Sequence, residues 1–333
     1  MGNSVANTAR VNIRPGSKVF CVSHRDDTDG LASAALVRCA TNCQFALAMY
    51  EDLEKVLTDA PRGLDWLVMT DLGLSSRREA ILGLATMAKK VLYVDHHLLS
   101  PGSMRLLRTA GVIVRHSLRE CTSILMWDLL RDRLPKRAIE LASYGAVTDP
   151  PVTGRLTREV LLRTNRNVAA YEAHLLALAL SSEKCTIKLR EKIVRSLSAL
   201  QLPHRMRVVR HLADQQAAKM LEVQRRLQDR AHVSGHVAIG EAGGLALGTT
   251  AELLLGVPNI VASVAYDSTA TPSQTRVSVR GTDECRRHLG KLMMNLSGRM
   301  GGRGGGHRIA AGAVLPTPRL QEFLRLFVKE VGE

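Results

Sequence analysis

The sequence has 333 residues, of which 45% are hydrophobic and 3% aromatic, and it carries a formal net charge of +15. The length predicts two domains, the charge favours a polyanionic partner such as nucleic acid over a basic background composition, and the scarcity of aromatics argues against an extended base-stacking surface. No apolar run reaches the about 18 residues of a membrane span and no signal peptide is recognisable, so we expect a cytoplasmic protein without a membrane partner.

The first predicted strand, residues 18–23, runs into a loop crowded with ionisable side chains. The loop holds three aspartates, Asp26, Asp27 and Asp29, close to His24. Residues 31–39 then predict an alanine-rich helix. One carboxylate at this place would be an ordinary helix N-cap, but three beside a histidine repel one another unless a cation neutralises them. The loop is therefore a candidate metal site.

The six cysteines are scattered and include no Cys-x-x-Cys pair. This spacing favours buried free thiols in a reducing compartment over a disulfide framework or a zinc site. Cys39 and Cys43 stand four residues apart, so we expect them on one face of the same helix.

Two further strand-like segments end at an aspartate. Residues 67–70 lead into Asp71, and residues 91–94 lead into Asp95-His96-His97. Ligands of an open parallel sheet bind at the carboxyl ends of its strands, where these side chains would stand. A single aspartate after a strand is more commonly a cap or turn residue, so the prediction depends on the recurrence of the pattern. A carboxylate with imidazoles suits Mn²⁺, Zn²⁺ or Fe²⁺ better than Ca²⁺.

The alternation of strands and helices continues through the first half of the chain. We expect a helix from Ser75, a strand at residues 112–114 and a helix at Thr122–Leu130. Another apolar segment, residues 139–147, leads to Asp149 ahead of two prolines, and we interpret it as one more strand followed by an aspartate. Such alternation predicts an α/β fold with a doubly wound parallel sheet.

Residues 155–230 carry no comparable strand signal. Residues 171–180 predict an apolar helix, and from Lys188 onward Lys and Arg dominate the charge. Pro203 should divide this basic region into two helices. A solvated helical linker and a surface that binds a nucleic-acid backbone both fit the pattern, and the sequence leaves the two alternatives open.

A second domain is predicted from His236 onward. Its predicted strands cover residues 237–239, 259–266, 275–280 and 309–314, and its predicted helices cover residues 249–255, 285–300 and 319–331. Arg276, Ser278 and Arg280 should share one strand face, because side chains alternate along a strand.

Residues 301–306 include five glycines and precede His307 and Arg308. Glycines expose backbone N–H groups and permit close approach, so with Arg303 the segment predicts a loop that cradles an anion and becomes ordered around it. A flexible linker is the alternative, although both flanks are structured.

In this order the motifs resemble the DHH phosphoesterase superfamily with its C-terminal DHHA1 domain, and most of all the stand-alone RecJ-like proteins. The matching residues are His24, Asp27-Thr28-Asp29-Gly30, Asp71, Asp95-His96-His97, Asp149 and Gly304-Gly305-Gly306-His307. The resemblance leaves mainly residues 155–230 uncovered. It implies a doubly wound parallel α/β domain at residues 1–185, a basic helical linker at residues 186–230 and a smaller mixed α/β domain at residues 231–333.

The resemblance also implies hydrolysis of phosphoester bonds with two Mn²⁺ ions, or with Mg²⁺ instead. The implied metal ligands are His24, Asp27, Asp29, Asp71, His96 and Asp149. Asp71 would bridge the ions and His97 would face the scissile phosphate. His24 stands three residues before Asp27, where many relatives have a spacing of four, so a water or Asp26 could replace it.

Substrate binding is implied for the second domain. Arg280 and His307, with Gly304, Gly305 and Gly306, would bind a substrate phosphate or a terminal nucleotide. A site of this kind between two domains would let domain closure select the substrate.

Three functions follow from these features. The first is a metal-dependent exonuclease on single-stranded DNA or RNA, which the net charge favours. The second is an enzyme for short oligoribonucleotides, cyclic dinucleotides or 3′-phosphoadenosine 5′-phosphate, which the scarcity of aromatics favours. The third is a non-catalytic scaffold in replication or repair, which ranks last because every central carboxylate and histidine is present. A homodimer or a repair or replication partner is left open.

Overall fold

The structure is a computed structural model that describes residues 11–49, 52–74, 83–84, 86–149, 153–271 and 273–332. The chain divides into two compact units, Met1–Gln216 and Ala217–Glu333. Within the described ranges, no helix reaches the combination of length and hydropathy that a bilayer-spanning helix requires.

The first unit is a parallel sheet with helices on both faces, as the sequence predicts. Its elements in chain order are β1 (Val19–His24), α1 (Thr28–Thr41), β2 (Gln44–Ala48), α2 (Leu53–Thr58), β3 (Leu64–Thr70), β4 (Ala88–Asp95), α3 (Pro101–Thr109), β5 (Ile113–His116), α4 (Thr122–Leu130), α5 (Ile139–Thr148), α6 (Arg155–Arg163), α7 (Arg166–Leu180), α8 (Ile187–Ser198) and α9 (Arg207–Arg230), which continues into the second unit.

The strand order of this sheet determines where a ligand can bind. The five strands are ordered β2-β1-β3-β4-β5 and are all parallel. Successive residues of each strand face different cores, so Cys21 packs with α1 and α4 while Val22 packs on the opposite face. The order reverses between β1 and β3, and ligands of such sheets bind at this reversal, beyond the carboxyl ends of the strands.

Two sequence predictions in this unit are wrong in detail. Residues 139–147 form α5, not a strand, because a short apolar run of small residues fits a buried helix as well as a buried strand. Cys43 does not share a helix face with Cys39, because α1 ends at Thr41 and Asn42 adopts a left-handed φ of 53°. The helix expected from Ser75 lies outside the described residues.

The basic middle region consists of two helices, as predicted from Pro203. Pro203 begins a short 3₁₀ turn between α8 and α9. The apolar side of α8, with Ile193, Val194 and Leu197, packs into the core of the first unit. The division into three domains, at residues 1–185, 186–230 and 231–333, stays a prediction.

The second unit is a mixed α/β structure, also as predicted. Its further elements are β6 (His232–Ser234), β7 (Val237–Glu241), α10 (Leu247–Leu254), β8 (Ala262–Thr271), β9 (Gln274–Gly281), α11 (Leu289–Arg299), β10 (Arg303–Gly306), β11 (Ala310–Pro316) and α12 (Leu320–Gly332). The strand order is β10-β11-β9-β8-β7-β6, with β7 and β8 parallel and the other pairs antiparallel. Helices α11 and α12 cover one face, and α10 with the end of α9 packs on the other.

The glycine-rich segment is a strand, so the prediction of a ligand-ordered loop is wrong. Its residues form the edge strand β10, which pairs antiparallel with β11. Helix α11 lies close to β10: a Cβ atom at Gly304 would stand 2.8 Å from Ser297 Oγ, and one at Gly290 would overlap the carbonyl oxygen of Gly306. The glycines are needed because helix and strand backbones approach so closely.

This close approach predicts that two Gly→Ala substitutions on α11 affect the stability of the second unit differently. Gly290→Ala should destabilise the second unit by about 1–3 kcal/mol, because the new methyl group has no room. Gly298→Ala is the matched control: nothing lies within 4 Å of its Cβ position. It should be neutral or stabilising by up to about 1 kcal/mol, because alanine is the better helix former. Urea unfolding compares them, and equal stability of the two variants would contradict the account.

Candidate metal centre

The junction of β1 and α1 brings His24 and Asp27 together. Asp27 is the N-cap of α1, and its Oδ1 accepts the N–H of Gly30 at 2.8 Å. Its Oδ2 lies 2.5 Å from His24 Nδ1. A side chain at Gly30 would overlap the backbone of His24, so glycine lets α1 begin directly against the end of β1. Asp27 is thus both the expected helix N-cap and one of the ionisable side chains that lie close to Asp71.

The pKa values of this pair move in opposite directions. Burial lowers the pKa of His24, but the carboxylates of Asp27, Asp71 and Asp26 outweigh it and raise the value to about 9. Burial would raise the pKa of Asp27, but the neighbouring imidazole and the Gly30 N–H hold it well below its usual range. Without a metal, His24 is therefore an imidazolium at neutral pH.

Asp29 is held by the first turn of α4. Its Oδ2 accepts the N–H of Thr122 at 2.7 Å, and its Oδ1 accepts the N–H of Ser123 at 2.8 Å. These are orphan donors of a helix N-terminus, where the helix dipole also favours a negative charge. Gly145 on α5 gives the carboxylate its space, because a Cβ atom there would overlap Asp29 Oδ1 and stand 2.5 Å from Ser123 Oγ.

Asp71 follows β3 and stands between two sets of side chains. Its Oδ1 lies 3.4 Å from His96 Nε2 and accepts the hydroxyl of Thr122 at 3.2 Å. Its Oδ2 points instead towards His24 Nδ1, at 3.8 Å. The residue adopts a left-handed φ of 60°, a conformation that costs most L-residues about 1–2 kcal/mol and concentrates at functional sites.

The end of β4 supplies a buried carboxylate, Asp95, and the two histidines that follow it, His96 and His97. Asp95 is completely buried and accepts the Tyr93 hydroxyl at 2.6 Å and His97 Nδ1 at 2.8 Å. Burial would raise the pKa of Asp95, but His97 and Tyr93 outweigh it, so the pKa is lowered. With Nδ1–H donating to Asp95, the His97 ring is held in one orientation. His96 stands beside it, facing Asp71.

Asp149 follows α5 and completes the cluster. Its Oδ2 lies 3.7 Å from His96 Nε2. Burial first, and then the neighbouring carboxylates, raise the pKa values of Asp149 and Asp71 well above the usual range. In the described part of the chain, Asp71 Oδ2 and Asp149 Oδ2 are buried carboxylate oxygens without a hydrogen-bond donor. A buried oxygen of this kind is stabilised by a cation.

These side chains form overlapping groups in which the ligand atoms lie within 4.8 Å of one another. The groups are His24 with Asp27 and Asp71, Asp29 with His96 and Asp149, and Asp71 with His96 and His97. All donors are carboxylate oxygens and imidazole nitrogens, which suit Mn²⁺, or Mg²⁺ with more oxygen ligands. The residues present therefore fit divalent cations.

Asp26 does not belong to these groups. Its Oδ1 lies 3.1 Å from Arg190 Nη1 and 3.6 Å from Arg25 Nε. Arg190 also donates to the carbonyl oxygen of Arg25 at 2.6 Å, which ties the loop to α8. The structure thus brings His24 to the cluster and gives Asp26 arginine partners.

The predicted substrate-binding residues all lie in the second unit. Arg280 on β9 donates to Ser278 Oγ at 3.1 Å, and its Nε lies 3.5 Å from Glu252 Oε2. The N–H of His307 donates to the carbonyl oxygen of Ala310 at 2.7 Å. Gly304 and Gly306 are crowded by neighbouring backbone and side-chain atoms, whereas no atom of the described residues lies within 4 Å of the Cβ position of Gly305.

Arg308 does not line an anion cradle. It donates to the carbonyl oxygen of Cys285 at 3.1 Å and to Asp283 Oδ1 at 3.3 Å. These contacts fasten the end of β10 to the segment between β9 and α11, which is a structural role.

Asp95, which the sequence analysis grouped with the two histidines as a candidate metal site, instead orients His97. Sequence reasoning missed three residues that build the centre: Thr122 and Ser123, which hold Asp29, and Gly145, which makes room for that carboxylate. A signal existed for two of them, because Thr122-Ser123 opens a predicted helix whose N-terminus attracts anions. Nothing in the sequence pairs that helix start with an aspartate 93 residues earlier.

Comparison with known families identifies the chain. Residues 18–147 match the DHH family, N-terminal domain, and residues 236–333 match the DHHA1 domain. The chain therefore belongs to the DHH superfamily, and it is a metal-dependent phosphoesterase of that superfamily. No curated protein sequence matches the chain.

Solved structures agree with the fold. The DHH domain of a protein described as a member of a ribosomal protein family has a TM-score of 0.71 and 16% identity, and the match covers 96% of this chain and 87% of that one. RecJ of Thermus thermophilus with Mn²⁺ has a TM-score of 0.62 and 16% identity, covering 95% of this chain and 52% of RecJ. PggH, a pGpG-specific phosphodiesterase from Vibrio cholerae, has a TM-score of 0.60 and 14% identity, with coverage of 94% and 98%.

The crowding at Asp29 predicts that Gly145→Ala disables the centre without unfolding the unit. The added methyl group overlaps Asp29 Oδ1, so the carboxylate must turn away from Thr122 and Ser123. If Asp29 is a metal ligand, as the sequence predicts, this displacement should weaken Mn²⁺ binding and activity by about 10–100-fold or more. Calorimetric titration with Mn²⁺ measures the loss, and circular dichroism monitors the fold.

Gly102→Ala on α3 is the matched control, because its Cβ position has only one ordinary neighbour, Ser100 Oγ at 3.8 Å. It should bind Mn²⁺ like the wild type. Wild-type Mn²⁺ affinity in Gly145→Ala would show that Asp29 is not a ligand.

The raised pKa values predict that metal binding releases protons. At neutral pH the metal-free centre holds a proton on His24, with a pKa of about 9, and the raised pKa values of Asp71 and Asp149 favour further protonation. A cation must displace these protons, so Mn²⁺ affinity should fall as the pH is lowered and proton release should decrease above about pH 9. Calorimetry in buffers of different ionisation enthalpy counts the protons. Proton-neutral binding at pH 7 would contradict the assignment of His24 as a ligand.

Proposed function

We propose that this protein is a two-metal phosphodiesterase that degrades single-stranded nucleic acid from an end, in the manner of a RecJ-like exonuclease. The observation that carries the proposal is the position of Asp71, whose two carboxylate oxygens face different ligand groups. A carboxylate in this position can bridge two cations, and paired cations are the usual means of phosphodiester hydrolysis.

Two Mn²⁺ ions, or Mg²⁺ ions, fit the ligand groups. His24 and Asp27 would hold one ion, and Asp29, His96 and Asp149 would hold the other, with Asp71 shared by both. When bound, the ions would activate a water and stabilise the charge of the phosphoryl group. RecJ structures with Mn²⁺ and with Mg²⁺, at TM-scores of 0.62 and 0.56, support this choice of metal.

The chain's own residues supply the remaining contacts. His97, with Nδ1 fixed by the buried Asp95, would present Nε2 to a phosphate oxygen. This arrangement keeps the ring in one tautomer and one orientation, which is the role of a carboxylate behind a catalytic histidine. In the second unit, Arg280 and His307 would bind a phosphate or a terminal nucleotide, for which a planar guanidinium is well suited.

Charge favours a long polyanionic substrate. The net charge is +15, and exposed Lys and Arg side chains continue along α8 and α9. The exposed basic residues of α8, of the segment between the two helices and of the first turn of α9 are Lys188, Lys192, Arg195, Arg205, Arg207 and Arg210. Such a surface binds a phosphate backbone without reading its sequence.

A second candidate function is hydrolysis of dinucleotides. It is supported by the similarity to the pGpG-specific phosphodiesterase, which covers 98% of that enzyme, and by the 3% aromatic content. A dinucleotide needs only the centre and one terminal anion site, so it would not depend on the basic helices.

One experiment separates the two candidates. The protein is incubated with Mn²⁺ and end-labelled single strands of graded length, in DNA and RNA form, and with pGpG. An exonuclease shortens long strands to a ladder, and chelation of the metal abolishes the ladder. Cleavage of pGpG alone would favour the dinucleotidase, and hydrolysis that persists after exhaustive chelation would contradict both.

Asp71→Asn is the matched inactive variant. Asparagine tolerates the left-handed conformation of Asp71 but loses the charge, so the fold should remain while activity falls by more than about 100-fold. Near-wild-type activity of Asp71→Asn would show that Asp71 does not bridge the ions.

A further inference from the structure

The strand register of the second unit aligns polar and small residues in rows across β9, β11 and β10. The three rows, read across the strands, are Arg276 with Val314 and Arg303, Ser278 with Gly312 and Gly305, and Arg280 with Ala310. These positions alternate with Val277, Val279, Ala311 and Ala313, which pack in the core beneath α11 and α12. Because successive side chains point to opposite faces, the three rows share the face away from α11.

The middle row provides a floor that is nearly free of side chains. Among the residues that the structure describes, none has an atom within 4 Å of the Cβ position of Gly305, and the one such neighbour of Gly312 is the carbonyl oxygen of Val277 at 3.3 Å. Ser278 contributes only a hydroxyl group, which accepts from Arg280. A flat group such as a nucleobase can therefore approach the backbone at Gly305 and Gly312. The Ser278 end of the row is bounded by the start of α10, where the Cβ position of Gly248 is 4.0 Å from Ser278 Oγ.

Cationic side chains stand at both ends of the floor. Arg280 lies at one end, where the N–H of His307 also continues the pairing of β10 with β11. Arg276 and Arg303 lie at the other end, and both are exposed. Two acidic residues lie near the arginines of β9. Glu252 is 3.5 Å from Arg280, and Asp267 on β8 is the register partner of Arg276. The β10 side, with Arg303, keeps its positive charge.

The two ends are four residues apart along each strand, which corresponds to about 13 Å. Stacked nucleotides rise by about 3.4 Å each, so a strand that reaches both ends must be longer than a dinucleotide. A ligand with phosphates at regular intervals and flat groups between them matches this arrangement of cations and bare backbone.

We propose that Arg276 and Arg303 form a second anion site, which binds a phosphodiester of single-stranded nucleic acid several nucleotides from the end held at Arg280 and His307. This inference rests on the proposed function. A second anion site at this position would make the second unit selective for substrate length. The floor formed by Gly305, Gly312 and Ser278 accommodates the nucleotides between the two sites.

The test compares a long single strand with pGpG. In the double variant Arg276→Ala/Arg303→Ala, kcat/KM for the long strand should fall about tenfold or more, whereas kcat/KM for pGpG changes less than about twofold. Arg299→Ala is the matched control, because Arg299 is an exposed arginine on α11, which covers the other face. It should change neither value. Equal losses on both substrates, or no loss on the long strand, would overturn the proposal.

Binding provides a readout that does not need hydrolysis. In the Asp71→Asn background, the slope of log K against log salt for a long strand should become less steep by about 0.7 when both arginines are removed, because the site neutralises one phosphodiester and each neutralised phosphate contributes about 0.7. If no substrate is hydrolysed but this change in slope appears, the proposed exonuclease function fails and the anion site stands. An unchanged slope overturns the anion site even in an active enzyme.

Gly305→Leu tests the floor independently of charge. The Cβ position of Gly305 is open, so the larger residue should leave thermal stability unchanged. It should nevertheless weaken binding of the long strand about tenfold by filling the space between the two cationic ends. Wild-type binding by Gly305→Leu would show that nucleotides do not cross this face.

Discussion

The first unit holds several carboxylates in a small, buried space, and its structure depends on how their negative charge is compensated. Asp29 and Asp71 are almost fully buried, and the pKa of Asp71 is raised by burial and by its acidic neighbours. The N-terminus of α4 compensates for one charge by donating two N–H groups to Asp29. The described imidazoles of the cluster, on His24, His96 and His97, offset part of the remaining charge, and divalent cations would offset the rest.

The location of the centre could be predicted because the sequence shows where parallel strands end. Apolar runs that stop at His24, Asp71 and Asp95 indicate one edge of one sheet, and the order reversal between β1 and β3 lies there. The element before Asp149 could not be identified, because a run of small apolar residues fits a helix and a strand equally well. The contacts of Thr122 and Gly145 with Asp29 could not be predicted, because they depend on tertiary packing.

The glycine-rich segment shows how one composition can have two physical meanings. Bare backbone suggests a phosphate loop, which is the interpretation that the composition favours. In the structure, Gly304 makes room for Ser297 of α11 and Gly306 makes room for β11, while Gly305 lies on the face away from α11. One face of β10 therefore packs in the second unit, and in our proposal the other face binds the substrate. Because successive residues of a strand face opposite sides of the sheet, the position of each glycine along the strand determines its role.

The central claim is that the carboxylate cluster holds two cations with Asp71 between them. The most direct measurement is an anomalous difference map from a crystal of the protein soaked in Mn²⁺. The account predicts two peaks, one among His24, Asp27 and Asp71 and the other among Asp29, Asp71, His96 and Asp149, and the loss of at least one peak in Asp71→Asn. The absence of anomalous density at these residues, or two peaks unaffected by Asp71→Asn, would contradict it.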